Sequence, residues 1–275
     1  MLHDLHTHST ASDGTLTPSD LVARAHAQGV RVLALTDHDS TEGLAEASAA
    51  AQALGVRLVP GVEISVTWRG KTVHVIGLHV DAANAVLQQG LARLRGFRDW
   101  RAEEIGRRLA EYGIADAYQG ARRYARGNIV SRTHFARFLV EQGRAREVRD
   151  VYPYYLTEGK PGYVAGEWAA LEEAVVWIRG AGGQAVIAHP ARYKLNETKF
   201  ELLLDEFKQH GGAAMEVLSG SHTPDDCARM ARHAQRHGLL ASQGTDYHGP
   251  EHTWLELGRL PAMPEGCVPV WQHWQ

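Results

Sequence analysis

Cysteine is scarce in this chain of 275 residues: there are two, Cys227 and Cys267, and their spacing matches no thiolate metal site. Two reduced thiols in a cytoplasmic protein are expected, not a disulfide framework. Long apolar runs are missing as well. No stretch approaches the roughly 20 apolar residues that a membrane-spanning helix requires. The first residues, already carrying histidine and aspartate, look like a strand rather than a leader or an anchor. Positive charge is not in excess, since 29 Lys and Arg face 32 Asp and Glu for a net charge of −3. That excludes a basic nucleic-acid wrapper, so any nucleotide must bind at a local site. Internal repeats and low-complexity tracts are absent. Also lacking is a convincing strand lysine of the kind that bridges ions in amidohydrolase-like barrels. What is plentiful is histidine, with 16 residues, several of them where strands end.

The hydrophobic pattern alternates between strands and helices. Residues 2–8 read as a strand, and Thr17-Pro18 opens a helix that Gly29 stops. Residues 30–36 have the continuous apolar character of a buried parallel strand. A helix over 41–54 and strands near 57–65 and 72–80 follow. Later, helices near 169–180, 198–209 and 224–237 lead into strands at 184–188, 213–218 and 239–242. Seven strands, most of them separated by helices, predict an α/β chain folded as a βα barrel. Its barrel is expected over 1–94 and 166–275, with a helical insertion over 95–165 leaning on one end.

His6 and His8 are two apart on a strand and so project to one face. The same residue types recur at other strand ends: Asp37-His38-Asp39, Glu63, His189, and Asp246-Tyr247-His248. In a βα barrel the carboxyl ends of the strands share one face, so these groups converge there. His74, on an apolar row with Ile76 and Leu78, is expected to face the same interior, and His79 to be structural. Asp4 either orients one of the histidines or caps the chain. Imidazole and carboxylate without thiolate suit Mn²⁺, Fe²⁺, Zn²⁺ or Co²⁺. A carboxylate such as Glu63 can bridge two ions about 3.5–4 Å apart, the arrangement that activates hydroxide and stabilises a transferring phosphoryl group.

The segments Asp4-Leu5-His6-Thr7-His8-Ser9, Ser12-Asp13-Gly14, Thr36-Asp37-His38-Asp39, Gly61-Val62-Glu63, Ala188-His189-Pro190 and Gly244-Thr245-Asp246-Tyr247-His248, in that order, resemble the polymerase-and-histidinol-phosphatase (PHP) family. The resemblance implies a distorted (β/α)₇ barrel and two to three divalent ions, Mn²⁺ first. It implies that His6, His8, Glu63 and Asp246 surround one ion, that Glu63, His74 and His134 hold a second, and that Asp13, His38 and His248 hold a third. Within the family, Ser131-Arg132-Thr133-His134 looks closest to a subgroup of 3′,5′-nucleoside bisphosphate phosphatases, also described as 5′→3′ exoribonucleases acting on short RNA. Arg132 offers a bidentate phosphate donor and Ser131 a helix N-cap, itself an anion site. Lys160 and Arg192 are further candidate phosphate contacts, and His222 a candidate pocket residue. Tyr154 and Tyr155 either stack on a base or pack the insertion. His189 is assigned to phosphate contact or to protonating the departing ribose oxygen, with metal ligation as the alternative. The partners expected are a nucleotide or short RNA, with no membrane and no obligate protein. Competing readings are another PHP phosphatase such as one for histidinol phosphate, an amidohydrolase-like enzyme, and a non-catalytic metal-binding barrel.

Overall fold

The structure is a computed structural model that describes residues 1–251 and 253–274. In chain order it runs β1 (Leu2–Asp4), α1 (Pro18–Ala27), β2 (Val30–Leu35), α2 (Leu44–Leu54), β3 (Arg57–Trp68), β4 (Lys71–Leu78) and α3 (Ala85–Glu111). There follow α4 (Ala117–Arg122), α5 (Arg132–Glu141), α6 (Val148–Val151), α7 (Leu171–Gly180), β5 (Gln184–Ile187), α8 (Glu197–Gln209), β6 (Ala214–Ser219), α9 (Pro224–His237) and β7 (Leu240–Gly244). The strands lie in sequence order within one sheet. It curls until its two ends meet, where Leu5 N donates to Gln243 O (3.0 Å), Asp246 N to His6 O (2.9 Å) and His8 N to Tyr247 O (2.9 Å). This is the seven-stranded barrel expected from the sequence.

Local chemistry sets the elements. Thr17 Oγ1 accepts from Asp20 N at 3.1 Å, capping α1, and Pro18 fills a first-turn position that needs no N–H. β2 is buried at every residue except Arg31, as a parallel strand covered on both faces must be. β3 and β4 instead form a hairpin whose two turn residues, Arg69 (φ 47°) and Gly70 (φ 76°), both have positive φ, the type that matches strand twist. β4 therefore runs antiparallel to both neighbours. Its carboxyl end points away from the mouth of the barrel, which puts His79 edge-on against Trp274 (4.4 Å) at the far end. His74, early in β4, is the residue that reaches the mouth.

β1 is shorter than the predicted 2–8 segment. Past Asp4 the ladder gives way to side-chain bonds: Thr7 N donates to Thr36 Oγ1 (3.1 Å) and Thr7 Oγ1 to Ala34 O (2.7 Å). The alternation of His6 and His8 survives, because the segment stays pinned between its neighbours.

Leu5, Val32, Ala34, Val59, Ile76 and Val186 fill the barrel, plugged below by Val270, Trp271 and Trp274. α3 belongs to two cores. Its Leu87, Leu91 and Leu94 pack on the barrel, whereas Ala102, Ile105 and Leu109 join Phe135, Leu139, Val151, Leu156 and Val164 in a second cluster. The helical piece docks on the mouth through Arg98 Nε to Asp39 Oδ2 (2.7 Å), Ser131 Oγ to Asp13 Oδ2 (3.0 Å) and Arg137 to Glu251 (2.8 Å). Among the described residues no helix is long and apolar enough to cross a membrane.

Candidate metal centre

At the mouth, loops following the strand ends bring the predicted side chains together with Glu63 and His74, which lie within β3 and β4. His6 is fully buried and its Nδ1 lies 2.9 Å from Glu216 Oε1 on β6. With the Nδ1 proton given to that carboxylate, the Nε2 lone pair of His6 is aimed into the site. It meets His8 Nε2 at 3.1 Å, and His8 Nε2 in turn lies 3.1 Å from Asp246 Oδ1. The approach of these segments needs glycine: a Cβ on Gly244 would sit 2.3 Å from His6 Cβ and 2.6 Å from His6 N. Asp39 (φ 48°), His189 (φ 27°) and Asp246 (φ 58°), all at strand ends around the mouth, are held in the left-handed region that non-glycine residues seldom adopt.

Four overlapping groups of donors result, each with its ligand atoms within 4.8 Å of one another: His8, Asp13, His38 and His248; His6, Glu63 and His189; His6, His8 and Asp246; and His38, Glu63 and His74. Glu63 joins them. Its Oε1 lies 2.8 Å from His74 Nδ1 and 3.0 Å from His189 Nε2, while Oε2 is 2.8 Å from His38 Nδ1 and 3.4 Å from both His6 and His8 Nε2. The donor set fits divalent cations. Glu63 Oε2, Asp13 Oδ1 and His38 Nδ1 are buried with no aligned hydrogen bond, although oppositely charged partners stand close by. Buried polar atoms left without a hydrogen bond in this way are ones that a coordinated ion would satisfy.

Charge tells the same story. Burial would raise the Glu63 carboxyl, but His74, His38 and His6 outweigh it and hold the group well below the usual carboxylate range. Asp246 and Asp13 are likewise held ionised against burial, the first chiefly by His6 and His248, the second by His248 and His38. Burial pulls His8 and His189 down to about 3, so both are neutral imidazoles ready to ligate. His248 goes the other way: burial opposes its charge, but Asp13 and Asp246 raise it to about 9.

Above the donors lies a cavity of about 160 Å³ walled by four guanidinium groups, Arg98, Arg101, Arg132 and Arg192. Arg98 is committed to Asp39 and Ser65, Arg101 to Val164 O, and Arg192 to Asp246 Oδ2 (2.7 Å). Arg132 has no hydrogen bond or ion pair among the described residues and stands 5.7 Å from the centre of the Tyr152 ring. Burial, with Arg132 and Arg98 nearby, pulls Arg101 down to about 9. The wall is thus short of negative charge.

Several sequence expectations need correction. His134, placed with Glu63 and His74 by the resemblance, belongs to none of the donor groups among the described residues. Its Nδ1 accepts from Ser131 N at 3.0 Å and closes the cap of α5. His189 stands in the position beside Glu63 instead. Ser131 lines the cavity beside Arg132 and Thr133, and its hydroxyl accepts from Thr133 N and donates to Asp13. Lys160 does not line the cavity; it lines a separate groove with Tyr112, Arg144, Tyr154 and Tyr155. Tyr155 packs into the second core while Tyr154 is exposed. His222 bonds Val217 O and Ala191 N, joining two loops. Asp4 makes no bond to either histidine ring; it accepts from Thr245 N, Thr245 Oγ1 and Gly258 N, stapling the barrel seam. Cys227 and Cys267 are both free thiols.

Sequence reasoning missed Glu216, which orients His6, and the part of Asp37, which accepts from Ser9 N, Ser9 Oγ and Ser12 Oγ and shapes the loop carrying Asp13. A fully buried glutamate within the apolar strand Ala214–Ser219 was the available signal. A fifth group, Glu201, His233 and His237, ties α8 to α9 on the outside, with Arg236 already 2.7 Å from Glu201 Oε1.

Comparisons with known proteins agree with this fold. The chain is 49% identical over 271 residues to a 3′,5′-nucleoside bisphosphate phosphatase of Chromobacterium violaceum, covering 98% of this chain and 95% of that protein. It is 43% identical over 277 residues to the 5′-3′ exoribonuclease Rnm of Escherichia coli, covering 100% of this chain and 94% of the relative. A solved structure from Chromobacterium violaceum, described as an amidohydrolase with bound sulfate and no metal, superposes with a TM-score of 0.95 at 48% identity, covering 98% of this chain and 95% of that one. The PHP domain profile matches residues 4–213, and with full-length relatives at this identity the chain belongs to the PHP domain family.

Proposed function

We propose that this chain is a metal-dependent phosphoesterase that breaks the bond between a ribose O3′ and phosphorus, removing the 3′-phosphate of 3′,5′-nucleoside bisphosphates such as pAp and degrading short 5′-phosphorylated RNA from its 5′ end. One bond serves both substrates, because in RNA the same phosphorus merely carries the next nucleoside. The observation that carries this reading is the uncommitted Arg132 in an arginine-rich wall directly above a buried set of imidazole and carboxylate donors.

Divalent ions, Mn²⁺ first among them, supply Lewis-acid charge to the phosphoryl oxygens and acidify water when bound among these donors. The chain's own groups do the rest. His6, His8, Glu63 and Asp246 form one ligand set; Glu63, His74 and His189 a second; Asp13, His38 and His248 a third. Glu216 fixes the tautomer of His6, and Ser131 with Thr133 holds Asp13. Arg192, bonded to Asp246, is placed to neutralise a phosphoryl oxygen at the same spot. Arg132, backed by Arg101 and Arg98, grips the phosphate that is not cleaved and so distinguishes a 5′-phosphorylated substrate from a simple monoester. No lysine lines the cavity among the described residues, which sets the site apart from a lysine-bridged amidohydrolase.

His189 Nε2 lies 3.0 Å from Glu63 Oε1 and shares a donor group with His6 and Glu63, so it is assigned to the ligand set rather than to protonating the leaving oxygen. His189→Asn should then bind about one ion fewer per chain by elemental analysis. Full metal content with lost turnover would return His189 to a catalytic role. The function itself is tested by assaying Mn²⁺-loaded protein on pAp, AMP, histidinol phosphate and a short 5′-phosphorylated RNA. Turnover of pAp and RNA well above the other two is expected. Equal rates on AMP and pAp would remove the bisphosphate claim, and inertness on all four would remove the reading altogether.

A further inference from the structure

The cavity is small for a polymer. Its volume of about 160 Å³ is below the ~300 Å³ at which drug-sized sites begin, so nucleotides beyond the first must lie outside it. Trp168 lines the cavity. Its ring meets Phe97 edge-on at 4.8 Å, and Phe97 lies 5.5 Å from Trp100 at an interplanar angle of 33°. Phe97 and Trp100 are three apart on α3 and share one face of it. Burial falls along this ladder: Phe97 is half-buried, and Trp100 is 53% exposed, which leaves part of its ring open to a ligand.

Cations accompany the ladder. The guanidinium groups of Arg98 and Arg101 stand 5.0 and 5.4 Å from the Trp168 ring. Aromatic faces beside positive charge, continuous with a phosphate-binding cavity, are the chemistry that holds single-stranded nucleic acid without regard to sequence. A protein partner or a second copy of this chain would have no use for continuity with the cavity.

We infer that the part of an RNA substrate 3′ to the reacting phosphate leaves the cavity over Trp168 and stacks its bases on Phe97 and Trp100, which makes Trp100 a determinant of preference for oligoribonucleotides over mononucleotides. This rests on the proposal that the chain acts on RNA. Trp100 touches none of the donor groups, so bisphosphate turnover does not depend on it.

The experiment compares kcat/KM of wild type, Trp100→Ala and Trp100→Phe on pAp and on a 5′-phosphorylated octaribonucleotide. Trp100→Ala should lose about tenfold on the RNA, the scale of one base–aromatic stack, and keep its rate on pAp within about twofold. Trp100→Phe should recover most of the RNA rate. An unchanged RNA rate, equal losses on both substrates, or a change of molecular mass in solution on substitution would each overturn the inference. The two readings fail separately. Wild type inert on both substrates sinks the proposed function, whereas wild type that degrades RNA no faster than Trp100→Ala sinks the ladder alone.

Discussion

Glu63→Gln is expected to empty much of the centre and to lower phosphoester hydrolysis by roughly a thousandfold or more, since an ion's charge contributes several kcal/mol and each 1.36 kcal/mol is a factor of ten. Glu63 is fully buried and approaches His6, His8, His38, His74 and His189 with its two oxygens. Glutamine keeps the shape but loses the charge, and its amide nitrogen presents protons where a cation should sit. Elemental analysis should show at least one ion lost per chain, with the circular dichroism spectrum unchanged. A variant that keeps its full metal content and more than about a tenth of its turnover would refute the proposed place of this carboxylate among the metal ligands.

Arg132→Ala is the second large effect, and it falls on selectivity. Charge-assisted hydrogen bonds contribute about 1.5–3 kcal/mol, so kcat/KM for pAp should drop roughly 10- to 100-fold. Hydrolysis of a simple monoester, which has no second phosphate to grip, should change little. Arg132→Lys keeps the charge without the planar fork and should fall between wild type and Ala. Equal losses on the two substrates would mean that Arg132 acts on the reacting phosphate or on the fold instead.

How much of this was legible in the sequence differs residue by residue. His6, His8, Asp246 and His248 stand out because two local rules apply to them at once, alternation along a strand and position at a strand end. His38 and Glu63 are legible by the second rule alone, and Glu63 lies inside a β3 that runs on to Trp68. Glu216 obeys the first rule only, and its partner His6 is 210 residues away, so its meaning exists only once the barrel closes. His134 entered the ligand set through the family resemblance alone, and its local setting points to a cap. A side chain three residues after a Ser N-cap is where a capping box reaches back, and His134 does so through Nδ1. Lys160 and Arg132 look alike as loop or helix-start cations, and the packing of the insertion alone separates them. The reversed β4 was visible as two strands close together, but its consequence, a site residue early in the strand, required the antiparallel register.

The seam of the barrel bears on how the enzyme is made. The residues that close the sheet are also those that present His6, His8, Asp246 and His248, and His8 and Asp246 are separated by 238 residues. Translation at about 5–20 residues per second puts those two groups roughly 10–50 s apart in their emergence from the ribosome. Throughout that interval the first histidines are half of a chelate with no other half. The proposed centre is therefore completed late in synthesis: a chain truncated before β7 lacks the last strand of its sheet and the Asp246 and His248 of the proposed ligand set.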